Sequence, residues 1–141
     1  MKKLSSIPWL LAVVLTLSAG MADAVAAENR SPYVAYYFHT TQRCATCMKI
    51  EALSIDSINK AFPNELKSGA LVFQTVNIEE PQNKHFVEDF KLITKSLVIV
   101  KVKDNKTEQF RNLPKVWELV HSPEDFAGYV KSEISSFMAG K

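Results

Sequence analysis

Tyr33-Val34-Ala35-Tyr36-Tyr37-Phe38 and, six residues on, Cys44-Ala45-Thr46-Cys47 decide how this chain is read. The first run is aromatic and β-branched with no charge, the composition of a strand buried on both faces. His39 to Arg43 is polar, and beyond it the apolar spacing changes from strand-like to helical. The chain's only two cysteines sit at that junction. With Cys44 at or just before the helix start, its sulfur faces unpaired backbone N–H groups and the positive end of the helix dipole. Cys47, three residues later, lies over the same face within reach of a disulfide. A thiolate at Cys44 is therefore favoured, and Arg43 beside it adds to the effect.

Three chemistries fit such a pair. A structural staple is one, but the chain-entropy account gives about 3 kcal/mol for a 15-residue loop and less for a shorter one. Metal binding is another, since C-x-x-C is half of many metal sites. A second C-x-x-C or closely spaced histidines would favour it, whereas His39, His85 and His121 are scattered. Redox exchange is the reading preferred here.

At the N-terminus, Lys2 and Lys3 precede an apolar run from about Ile7 to Ala19. Ala22-Asp23-Ala24, Ala24-Val25-Ala26 and Val25-Ala26-Ala27 each fit a small-x-small cleavage pattern. Residues 1–27 are thus expected to be a secretory signal peptide, and residues 28–141 the mature domain. The run falls short of the ~20 residues of a comfortable transmembrane helix, and Pro8 interrupts its start; an uncleaved inner-membrane anchor is the alternative. Export to the periplasm would place the cysteines in an oxidising compartment.

Removing the leader changes the charge. The whole chain has 17 basic and 15 acidic residues. Without Lys2, Lys3 and Asp23 the mature part has 15 against 14, a net of +1. That balance argues against a nucleic-acid or anionic-membrane surface.

Farther along, a first helix is expected from Ala45 to Phe62. Cys47, Met48, Ile50, Ala52, Ile55, Ile58, Ala61 and Phe62 share one broad arc, Lys49, Asp56 and Lys60 lie opposite, and Leu53 falls on the polar side. Glu51 falls inside the apolar arc, one turn past Cys47. Pro63 ends or kinks the helix, and Lys67-Ser68-Gly69 marks a turn. Strands are read over Ala70–Ile78, Ser96–Val102 and, after an Asp104-Asn105-Lys106 turn, Glu108–Asn112. A short helix carrying Phe86, Val87 and Phe90 precedes the third strand. Pro114–His121 and Pro123–Met138 read as helices, with Phe126, Val130, Ile134 and Phe137 at helical spacing in the second.

This order of elements, with Tyr36-Tyr37-Phe38 before the cysteines, Val76-Asn77-Ile78-Glu79 in the second strand and Phe90 to Leu97 before the third, resembles the thioredoxin superfamily. The resemblance implies an α/β, thioredoxin-like fold: a central mixed four-stranded sheet flanked by helices. The run from Tyr36 to Glu51, with Asn83-Lys84-His85-Phe86 and Thr94-Lys95-Ser96-Leu97-Val98, is more closely similar to the small thioredoxin-like ArsF family, labelled "nitrophenyl compound nitroreductase subunit". That label implies a reductive partner system. A G-x-G-x-x-G dinucleotide fingerprint is absent from the chain.

Against the superfamily pattern, Arg43 stands where a tryptophan usually precedes the first cysteine, and Phe38 where a buried acid is usual. Ser96 takes the place of the cis-proline. The resemblance implies that Cys44 is the nucleophile, that Cys47 resolves the mixed disulfide, and that Arg43, Ser96 and Leu97 border the substrate. With Phe38 at the acid's position, Glu51 becomes the candidate to accept the Cys47 proton, burial bringing its carboxyl toward neutrality.

The expected function is that of an exported thiol–disulfide oxidoreductase needing no cofactor. Its partners would be a disulfide-bearing protein client or a membrane redox donor, with no nucleic acid, and a monomer is expected. The alternative is a periplasmic chaperone for a soft metal such as Cu(I), bound through the same cysteines with help from Met48 or a histidine.

Overall fold

A computed structural model describes residues 33–141; the leader read over residues 1–27 lies outside them. The aromatic run forms strand β1 (Tyr33–His39), and the residues after Cys44 form helix α1 (Ala45–Ala61). Then come α2 (Pro63–Ser68), β2 (Leu71–Asn77), a 3₁₀ turn (Pro81–Asn83) and α3 (His85–Asp89). The chain continues through β3 (Ser96–Lys103), β4 (Lys106–Asn112), α4 (Val116–Leu119) and α5 (Pro123–Met138).

The sheet runs in the order β2-β1-β3-β4. β1 and β2 are parallel, paired without offset from Tyr33 with Leu71 to His39 with Asn77, as a helical crossover between them allows. β3 is antiparallel to β1, and β4 to β3. This is a mixed four-stranded, thioredoxin-like α/β fold.

Local chemistry accounts for most of the joints. Pro63 opens α2 rather than merely ending α1; at a first helical position its missing N–H leaves nothing unpaired. Gly69 caps α2 in the left-handed region at φ 76°. Asp104 and Asn105 also have positive φ, 50° and 59°, which makes the β3–β4 link a two-residue hairpin turn and lets β4 begin at Lys106. The helix expected over Pro114–His121 is a single turn, Val116–Leu119, which follows the bond of the Leu113 N–H to the Leu97 carbonyl of β3.

Both faces of the sheet carry core. On one, Ala35, Tyr37, Leu71, Leu97 and Ile99 meet Ile50 and Ile58 of α1 and Phe126, Val130 and Ile134 of α5. On the other, Phe38, Val98 and Val100 pack with Phe90 and Leu92.

α1 is turned on its axis relative to the expected arc. Ser54 and Ser57 are buried with Cys47, Ile50 and Ile58, and Leu53 packs against the core. Met48 and Ile55 are exposed. The serine burial is possible because a helix can satisfy a hydroxyl from within: Ser54 Oγ donates to the Ile50 carbonyl at 2.7 Å.

Candidate redox site

Cys44 is the N-cap of α1, with extended φ and ψ of −92° and 157°. Its sulfur accepts a hydrogen bond from the Cys47 N–H at 3.1 Å, and its carbonyl one from the Met48 N–H at 3.0 Å. The first turn carries no acidic residue to offset the helix dipole. Cys44 and Cys47 are joined in a disulfide with their Cα atoms 5.0 Å apart. The two sulfurs differ in setting: Cys44 is exposed, whereas Cys47 is 1% exposed.

Three sets of contacts hold this corner. Beneath it, Tyr37 Oη donates to the Cys47 carbonyl at 2.7 Å. Burial pushes the Tyr37 hydroxyl up to about 12, with the Arg43 charge pulling the other way. Leading into it, Asn77 ties the β1–α1 loop to the end of β2. Its Nδ2 donates to Thr41 Oγ1 at 3.0 Å, and its Oδ1 accepts from the Glu79 N–H. Glu79 closes the ring by accepting from the Thr41 N–H at 2.9 Å. Hydrogen bonds from Thr41, chiefly, hold the Glu79 carboxyl below the usual range, with Lys95 adding to the effect.

The third contact is the ion pair of Arg43 Nη2 with Glu51 Oε2. Arg43 Nε is buried without a hydrogen-bond partner. Glu51 is therefore not the lone carboxylate in an apolar arc that its expected role as a base assumed. The turned helix puts it at the margin of the buried face, its side chain 19% exposed, where the preceding loop can reach it.

Cys44 and Cys47 are joined, Arg43 pairs with Glu51, and Ser96 and Leu97 stand at the start of β3 beside β1. Leu97 pairs with Tyr37 and Ser96 with Phe38. Ser96 is 4% exposed, and its hydroxyl donates to the Thr94 carbonyl at 2.9 Å. The loop before it is fastened by Trp117 Nε1, which donates to the Lys95 carbonyl at 2.9 Å, while Ile93 stands 96% exposed.

Sequence reasoning missed Tyr37, Trp117 and the Thr41–Asn77–Glu79 ring. Tyr37 carried only a strand signal, and no spacing in the sequence pairs Thr41 with Asn77 or Glu79. Among the described residues, no group of three or more His, Cys, Asp and Glu side chains could hold a metal ion. No helix there is long and apolar enough to cross a membrane. A cleft of about 910 Å³, lined by Val34, Tyr36, Phe86, Val102 and Phe110 among others, includes neither cysteine.

Fold and site together define a thioredoxin-like α/β domain with a C-x-x-C disulfide at the first turn of its first helix. Comparison of the chain with protein-family models and with curated proteins finds no match.

Proposed function

We propose that this domain is an exported thiol–disulfide oxidoreductase working through Cys44 and Cys47. One observation carries the reading: a disulfide joins an exposed N-cap cysteine to a buried one in the same helical turn. A bridge over so short a loop adds little chain-entropy stabilisation, and it presents one sulfur to a macromolecule without needing a pocket.

In the reducing direction the Cys44 thiolate attacks one sulfur of a client disulfide. A Cys44–client bond forms, and the other client sulfur leaves as a thiolate that takes up a proton. Cys47 then gives up its proton and attacks the Cys44 sulfur, expelling the second client thiolate. Two electrons pass to the client, and the Cys44–Cys47 bond is restored. In the oxidising direction every step reverses, with a client dithiol as the donor.

Arg43, next in the chain to Cys44, carries a positive charge that is paired with Glu51. Ser96 and Leu97, at the start of β3, offer backbone to a bound chain. The leader-like pattern read over residues 1–27 supports export to the periplasm, and the resemblance to the ArsF family supports a reductive partner system as electron source.

The test is disulfide exchange with glutathione and with a protein disulfide such as insulin. Wild type should exchange with both, and Cys44→Ser with neither. Cu(I) capture by the reduced protein with no exchange would replace this reading with the metal-chaperone one.

A further inference from the structure

Arg43 is the chain neighbour of Cys44, yet the partner that its guanidinium takes lies farther along the helix. Nη2 closes on Glu51, seven residues into the helix beyond Cys44. The same charge is felt by the hydroxyl of Tyr37, which is wholly buried under Cys47. Arg43 Nε is itself buried and lacks a partner. The side chain is thus committed to one ion pair while its Nε donor goes unused. With side chains 28% and 19% exposed, the pair is largely out of water, so the cost of desolvating both groups offsets much of their attraction. Its larger physical effect is on where the positive charge sits.

That position matters only once the disulfide opens. In the disulfide, Cys44 Sγ is uncharged and makes no claim on the guanidinium. An external dithiol reduces the bond by delivering two electrons and two protons and is itself oxidised to a disulfide. Cys47 keeps its proton, and Cys44 releases its own to solvent as a thiolate. One cation then has two anions to serve.

We propose that Glu51 is a positioning residue: it holds the Arg43 guanidinium in their ion pair and so limits how strongly that charge stabilises the reduced Cys44 thiolate. The proposal rests on the redox reading of the pair. It gives Glu51 an action through Arg43 on the nucleophile, rather than one as base toward Cys47.

The experiment uses Glu51→Gln in the full chain, which keeps the side chain's length and removes its charge, alone and together with Arg43→Gln. Freed from Glu51, the guanidinium should turn to the thiolate. A tenfold gain in thiolate fraction is partly offset by lower intrinsic nucleophilicity. Alkylation of Cys44 by iodoacetamide, measured below the midpoint of its own titration, should therefore speed up about threefold. The exchange equilibrium with glutathione should move toward the reduced protein by about threefold or more. In the Arg43→Gln background, Glu51→Gln should change neither quantity.

No change in either quantity with Arg43 present would overturn the proposal. So would an equal change in both backgrounds, which would mean that the carboxylate acts on the sulfurs directly. Slower resolution of a Cys44 mixed disulfide with unchanged alkylation would give Glu51 to Cys47 as its base. Wild-type exchange with glutathione tests the redox reading separately: if wild type exchanges and the variants match it, only the role of Glu51 is lost.

Discussion

The hydroxyl of Tyr37 and the carbonyl of Cys47 are joined across 2.7 Å, so the central strand holds the second cysteine directly by its backbone. Tyr37→Phe removes that bond and little else. It should destabilise the domain by about 0.5–1.5 kcal/mol in urea unfolding, the usual worth of one internal hydrogen bond.

Tyr37 also predicts an alkaline limit. Its hydroxyl ionises at about 12 in the fold against an ordinary 10.0. Between those values the unfolded chain gives up the proton while the folded one keeps it. This contribution is fully present below pH 10 and is lost as pH rises toward 12. Unfolding free energies measured across that window should fall more steeply for wild type than for Tyr37→Phe. Parallel slopes would remove Tyr37 as the cause.

The unequal exposure of the two sulfurs sets an order of labelling. Alkylation of the reduced protein below pH 7 should reach Cys44 first, because it alone combines the helix N-terminus with access. Cys47→Ser should accumulate a mixed disulfide with a client through Cys44. Preferential labelling of Cys47 would reverse the two roles.

The turn of α1 about its axis can be tested by two truncations. Leu53 packs against the core and Ile55 is 38% exposed. Leu53→Ala should cost roughly 1–2 kcal/mol, below the 2–5 of a fully buried leucine. Ile55→Ala should stay within about 0.5 kcal/mol. The opposite ranking would restore the apolar arc read from the sequence.

Trp117 provides a test of the loop that leads to Ser96. Trp117→Phe keeps most of the ring's bulk and removes the donor to the Lys95 carbonyl. Amide hydrogens from Leu92 to Ser96 should exchange faster while those of β1 do not change. Equal exchange in both proteins would show that the bond does not fasten the loop.

What the sequence made legible was the part of the fold set by short-range chemistry. The uncharged run before His39 could only be a covered strand. Pro123 to Met138 shows helical spacing from end to end, and α5 has those bounds. Cys44 as N-cap followed from the change of period beside it. The helix's rotation did not follow, because Ser54 and Ser57 count as polar although an internal acceptor lets Ser54 be buried. Glu51 was misplaced in consequence. Its partner Arg43 lies in non-helical backbone, where no periodicity says which way a side chain turns.

The pairing of α1 with α5 has a consequence for the order of assembly. Ile50 and Ile58 are covered by Phe126, Val130 and Ile134, which belong to the last helix in chain order among the described residues. A growing chain therefore exposes both thiols long before the residues that lock their helix exist. The two sulfurs are only three residues apart, so their closure needs none of that later structure. Ring formation and helix docking are thus separate events, and an oxidant met during synthesis acts on the first before the second is possible.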